Sequence, residues 1–479
     1  AIQFTAEDAG TEESPIMYRN YQDEKVIING GYSLDNSKFE PVAPEIADRF
    51  PTEAAKKNVV QYDLKEHEGL DYGKIYVSGS AAPRWDDLPK GPPSPELYLN
   101  GEYMTLARYP NDILDPSSFT GISQIVKNSQ NPVPQGGTGP AGPQIEGATF
   151  TYKDSRPSRW KSFEDIWLSG FFRWDWSSST TAVKSFDVSK NQLTTESASY
   201  YGFATTGRYY YFNVLDELDV PGEWYLDRKN GMLYLYPTEE IRGSEITLSQ
   251  MVDDMVKIEN CSYLTIRGME IGNGRGNGIL IDENSHHILI DACHIFGLAT
   301  RGVDIMGGHD NGVTNCEIQS IGAGGIFMKG GDKLTLTHCN NYAINNHIHN
   351  FGIRVRTYES GIDINGTGMH AAHNEIHNSP HIGIRLSGND NLIEYNNLYD
   401  LDKETGDAGM IYAGRDWTYS GHVIRYNYLH DTQNPYPKSF GPFGIYIDDM
   451  ASGFHVYGNI VKNVGDRSMH FGGGMNNLI

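Results

Sequence analysis

Cysteine, positive charge and long apolar runs are all in short supply in this chain. Four cysteines among 479 residues, with no C-x-x-C pair, exclude both a disulfide-stapled scaffold and a thiolate zinc site. Lys and Arg number 38 against 61 Asp and Glu, a net charge of −23. A nucleic-acid backbone or an anionic membrane surface would be repelled before specific contacts formed. No run reaches the ~18 apolar residues of a membrane-spanning helix, and neither heptads nor a sustained 3.6-residue period occurs. What the chain does have is 53 Gly, 30 Tyr, 18 Phe and 7 Trp. That mixture suits a turn-rich, all-β protein with aromatic platforms for a neutral partner such as a sugar.

Four stretches, "GIDINGTG", "GIRLSGND", "GMIYAGRD" and "GIYIDDMA", share one rhythm. Their glycines belong to a series at Gly278, Gly302, Gly325, Gly361, Gly383, Gly409 and Gly444, separated by 24, 23, 36, 22, 26 and 35 residues. A period of 22 to 24 with longer insertions marks a solenoid. After each glycine the first and third positions are apolar, as in Ile279 and Ile281, Ile362 and Ile364, or Met410 and Tyr412. Period-two alternation points those side chains inward and makes each stretch a half-buried strand, with the glycine permitting a bend. A second column contains Cys293, Cys316, Asn374, Asn396, Asn427 and Asn459, each two residues before an apolar position. Stacked asparagines can bond backbone groups at a bend and one another between coils. Cys293, Cys316 and Cys339 fall 23 residues apart and read as a stack of small buried thiols.

Together these columns specify a right-handed parallel β-helix, in which each coil rises roughly 4.8 Å. Its main body is placed at 241–479, and "PIMYRNYQDEKVIINGG" within 1–35 supplies an opening coil. Between them, 36–240 lacks the glycine repeat and is rich in Pro, Gly and aromatics. Here "PELYLNGEYMTLARYPN", "WLSGFFRWDW" and "VPGEWYLDRKNGMLYLYP" read as hairpins, the last turning at Asn230 and Gly231. This β-rich, sandwich-like insertion is expected to pack on the helix and help wall a groove.

The position between the two apolar residues faces outward and varies: Leu280, Asp304, Phe327, Asp363, Arg385, Ile411 and Tyr446. Such a row is either a solvated face with scattered ion pairs or a preorganised site on a rigid sheet. The densest polar cluster spans 405–431 and continues into 441–453, with insertions after Arg415 and Asn434. It carries Asp407, Tyr412, Arg415, Asp416, Trp417, His430 and Asp431, then Tyr446, Asp448 and Asp449. Cleavage of a glycosidic bond needs one protonated and one ionised carboxyl group across the bond. Asp407 and Asp448 come from successive coils and could face each other. The plainer alternatives are a turn residue for Asp407 and a strand-end cap for Asp448.

At these residues the chain resembles the right-handed β-helix glycosidases of glycoside hydrolase family 141. The resemblance rests on "FTAEDAGTEESPIMYRNY", "INGG", "PELYLNGEYMTLARYPN" and "PGEWYLDRKNGMLYLYP", then "GDAGMIYAGRDW", "IRYNYLHD" and "GIYIDDM". It implies that Asp407 and Asp448 are the catalytic pair and that the substrate is a plant or algal polysaccharide or oligosaccharide; from the residues themselves no cofactor or metal is expected. Activities of the family include α-L-fucosidase and xylanase. Members normally continue for further coils beyond "GGGMNNLI", so a processed or truncated chain is expected, as is an extracellular or periplasmic location.

Three functions compete. A glycoside hydrolase would use Asp407 and Asp448, with Asp363, Arg385, Tyr412, Arg415, Asp416, Trp417, His430, Tyr446 and Asp449 binding sugar or tuning the acids. A polysaccharide lyase would need a cation to neutralise a uronate and a base to take its proton, with Arg385, Lys329 and Arg354 as candidates. A non-catalytic carbohydrate-binding solenoid would hold glycans on its aromatics without turnover.

Overall fold

The computed structural model describes every residue except 23, 84–90, 112–117, 130–145 and 434–439, so the stretch that opens at Asn434 lies outside the described residues. The chain divides into a unit made of Ala1–Gly31 with Met251–Ile479 and a second unit, Tyr32–Gln250. Among the described residues no helix is long and apolar enough to cross a membrane.

The first unit is a right-handed parallel β-helix built from three sheets. Its first sheet runs through ten strands from Ile2–Phe4 to Arg467–Phe471; the other two have nine strands each, from Ile16–Arg19 to Phe454–Tyr457 and from Ile27–Asn29 to Ile460–Lys462. The opening segments pair in parallel with the coil that begins at Val256. Inward residues such as Ile279, Ile305, Ile362 and Ile384 fill one continuous core. Fully burying a side chain of this kind stabilises by roughly 1.5–3 kcal/mol, so a one-residue slip, which would turn the whole set outward, is disfavoured in every coil.

Three local expectations change. The glycine column does not serve a special backbone angle: a Cβ on Gly302 would lie 2.7 Å from the carbonyl oxygen of Gly325, and one on Gly325 would lie 2.5 Å from that of Gly361. Close approach of the next coil is what requires glycine there. In the strand Gly409–Ala413 the register is offset by one residue, because Ile411 pairs with Ile384 and Ile445, and Tyr412 with Arg385 and Tyr446. Met410, buried, therefore takes the glycine position, and Tyr412 rather than Ile411 faces outward. Finally, Cys339 does not stack with Cys293 and Cys316. The backbone N–H of Cys293 donates to Cys316 Sγ, that of Cys316 donates to Asn346 Oδ1, and the ladder continues through Asn374, Asn396, Asn427 and Asn459. A small antiparallel turn pairing Asp332 with Thr337 lengthens that coil and carries Cys339 to another corner. All four cysteines are free and buried.

The second unit contains a seven-stranded and an eight-stranded sheet. Leu97–Leu99 pairs antiparallel with Glu102–Leu106, Trp167–Phe171 with Ser179–Asp187, and Glu223–Asp227 with Met232–Leu235. In the last hairpin the Asp227 carboxylate accepts from the backbone N–H groups of Lys229 and Asn230, and Gly231 has φ of 64°.

Candidate active site

The outward row of the first sheet reads Leu280, Asp304, Phe327, Asp363, Arg385, Tyr412, Tyr446 and His470 in successive coils. Its first half is not a solvated face. Asp304 and Asp363 are buried, Asp363 accepts from Arg385, and Arg301 joins Asp304 to Glu359. Burial, only partly offset by Arg301, raises the Asp304 pKa to about 6. Arg385 and Asp363 thus neutralise each other beside the two tyrosines.

The tyrosines carry the geometry that matters. The Tyr446 hydroxyl lies 2.9 Å from Asp407 Oδ1 and 2.9 Å from Asp448 Oδ1. Asp407 precedes its strand in a left-handed conformation, φ 50°, and Asp448 follows the last paired residue of the next strand, Ile447. Both stand at the rim of the sheet, half-buried. Asp448 also accepts from the Tyr412 hydroxyl at 2.9 Å and from the backbone N–H of Asp449 at 2.7 Å, and Arg415 Nε lies 3.5 Å from its Oδ2. Arg415 is itself held by Asp449 at 2.6 Å. Gly414 is needed here: a Cβ would fall 2.6 Å from the Tyr412 hydroxyl oxygen and 2.9 Å from the Asp448 Cβ.

The electrostatics of the site are dominated by burial. Burial pushes the Asp407 carboxyl above the usual range and the nearby Asp448 adds to this, against the opposing effects of Tyr446 and Arg415. Burial also pushes the hydroxyls of Tyr412 and Tyr446 up, so both remain phenols. One phenol hydrogen serves one carboxyl group at a time, so Tyr446 is shared between the two acids. Donors converge on Asp448 from Tyr412, Tyr446, Arg415 and the Asp449 N–H.

Two residues beyond the outward row lies a second row: Met306, Lys329, Asn365, Ser387, the bare Gly414, then Asp448. Its first four members floor a cleft of ≈ 610 Å³, also lined by Glu283, Lys333, Asp416 and Tyr419. That volume lies in the range of ligand clefts, roughly 300–1,000 Å³. Asp416 is bonded to Lys333 at 2.5 Å and to Thr418; burial opposes ionisation, but these donors hold its pKa down at about 2. Trp417, beside it in sequence, is 69% exposed.

His430 is not brought to this site. It ends the strand Tyr428–His430 of the third sheet, where it contacts Asp431 and stacks on Tyr399. Lys333, Asn365 and Ser387 escape a reading centred on the first outward row. The signal for Asn365 and Ser387 is the same alternation carried two residues further.

A family model described as "Right handed beta helix region" matches residues 229–360. A solved structure described as a glycoside hydrolase superposes with a TM-score of 0.68 and 14% identity, over 99% of this chain and 86% of its own. A second, XylC in complex with xylose, gives a TM-score of 0.48 and 12% identity, covering 96% of this chain and 61% of its own. No curated protein matches the chain. At these identities the likeness concerns the fold.

Proposed function

We propose that this chain is a polysaccharide-acting glycoside hydrolase of the family 141 type, retaining anomeric configuration, with Asp407 as general acid/base and Asp448 as nucleophile. The observation that carries the reading is the single Tyr446 hydroxyl 2.9 Å from each acid. The two carboxyl oxygens on that hydroxyl are therefore at most about 6 Å apart, which accommodates the ~5–5.5 Å spacing of retaining enzymes. The glycoside hydrolase with the same fold over nearly the whole chain supports the class.

In the first step an oxygen of Asp448 bonds to the anomeric carbon while the glycosidic C–O bond breaks, and the Asp407 proton passes to the leaving oxygen. In the second, Asp407 takes a proton from water, whose oxygen attacks the anomeric carbon and releases Asp448. Arg415, Tyr412 and the Asp449 N–H orient the nucleophile. The row from Met306 to Ser387 leads from the cleft to Asp448 and supplies polar contacts for neighbouring sugar units. Plant or algal glycans bearing fucose or xylose are the substrates to screen, starting with fucosylated pectin fragments and xylan, and secretion fits such material.

Asp407→Asn and Asp448→Asn are each expected to lower turnover by roughly 10²–10⁴-fold or more with unchanged circular dichroism and thermal midpoint. Full activity in either variant would refute the pair. A lyase would instead release a product absorbing in the ultraviolet; Lys329 does line the cleft, but Arg385 is committed to Asp363. Binding with no turnover of any glycan would favour a carbohydrate-binding solenoid.

A further inference from the structure

The third sheet of the β-helix carries a second cluster of chemistry-bearing side chains. Register places Glu317, His347 and Glu375 in one outward row and Gln319, His349 and His377 in the next, on the neighbouring strands Glu317–Ile321, His347–Phe351 and Glu375–His377. The result is a grid of imidazoles and carboxylates about one coil spacing apart.

Within the grid the hydrogen bonds fix tautomers. Glu317 can only accept, so the His347 Nδ1 that lies 2.9 Å from Glu317 Oε2 carries the ring hydrogen. His347 Nε2 then carries a lone pair, which faces His377 Nε2 at hydrogen-bond distance, 2.9 Å. Glu375 stands beside them, and one donor atom from each of His347, Glu375 and His377 lies within 4.8 Å of the others. The supports around these three are those of a built metal site. A carboxylate on the far nitrogen of a ligating histidine orients the ring and raises its basicity, as Glu317 does for His347. The Tyr399 hydroxyl donates to Glu375 at 2.8 Å, and its ring stacks on His377 at 4.5 Å. On the other face of His377, His349 stacks in parallel at 5.0 Å while bonding Glu317 at 2.7 Å. Glu375 is exposed and His377 half-buried, which leaves room for water ligands.

We propose that His347, Glu375 and His377 bind one divalent first-row transition-metal ion of the zinc class, clipping two successive coils together. Two imidazoles and a carboxylate suit zinc, nickel or copper; calcium and magnesium take all-oxygen sets. Tetrahedral bonds of about 2.0–2.2 Å set donors roughly 3.3–3.6 Å apart, so the two imidazole nitrogens open slightly from 2.9 Å and the Glu375 carboxylate adjusts from within 4.8 Å. The ion sits on the third sheet, remote in register from the acids of the first, so its effect is on the stability of the stack.

The test uses the full chain, stripped with chelator and titrated with zinc chloride by calorimetry, with thermal unfolding followed alongside. Two other groupings, Glu317 with His347 and His349, and His287 with His309 and Asp310, also offer donors; the readout is therefore the difference between wild type and variants, and loss in His377→Asn alone, which leaves both of these intact, assigns the site. One equivalent of binding and its gain in thermal midpoint should vanish in His347→Asn/His377→Asn. Glu375→Gln should weaken that equivalent, and Glu317→Gln should weaken it by roughly 10–100-fold through the orientation of His347. The variants' midpoints in chelator report whether they fold. Absence of zinc binding to the wild type at millimolar metal, or identical binding in the folded double variant, would overturn the proposal and leave the grid a ladder of stacked, hydrogen-bonded rings.

Discussion

One phenol hydroxyl, that of Tyr446, is shared by the carboxyl groups of Asp407 and Asp448. It donates to one of them at a time and favours the ionised form of the acid it donates to. Its hydrogen bond also pulls the Asp407 pKa down against the upward push of burial. Removing it in Tyr446→Phe therefore raises that pKa further. A general acid works only while protonated, so activity is lost as pH rises through the Asp407 pKa. The basic limb of the kcat/KM profile should move to higher pH in Tyr446→Phe. Turnover should fall by roughly 10–100-fold, the value of one hydrogen bond to a charged group. A reduced rate with an unmoved basic limb would reduce Tyr446 to a packing residue.

Within the coils, stability depends on corners as much as on strands. The residues before the ladder positions Asn346, Asn374, Asn396 and Asn427, namely Asn345, His373, Tyr395 and Tyr426, have left-handed φ between 55° and 58°. The asparagines hold these bends: Asn396 Oδ1 accepts from the N–H and the side chain of Asn374, while its own amide donates to Ala371. Asn396→Ala would leave the buried Asn374 donors and the Ala371 carbonyl without that partner, a loss of about 2–4 kcal/mol. Chemical denaturation should read it as a lower midpoint at constant slope. The period of glycines and apolar residues made the strands legible in the sequence, yet "GMIYA" allows two alternations, Met410 with Tyr412 or Ile411 with Ala413. Only pairing with the coils on either side decides between them. Equal spacing likewise suggested Cys339 for the thiol stack, whereas a turn in that coil shifts the ladder position to Asn346.

At the level of the whole molecule, stacking converts residues far apart in sequence into neighbours. The β-helix itself could be read from one chain because its signal repeats in every coil. The acids and Tyr446 drew attention through their density of polar neighbours and through family resemblance, but the place of that tyrosine between the acids, and the row along the cleft, emerge only from coil-to-coil register. The histidine grid escaped for the same reason: its donors come from different coils and share no local motif. His430 shows the converse, being close to the acids' segment in sequence yet on another sheet. The central claim is that one rung's Asp407 and the next rung's Asp448 act on a single glycosidic bond across a short gap. Proton NMR of the first product formed from a cleaved oligosaccharide tests it most directly. The account predicts that the new reducing end appears first with the anomeric configuration of the bond that was cut; initial release of the opposite anomer would contradict it.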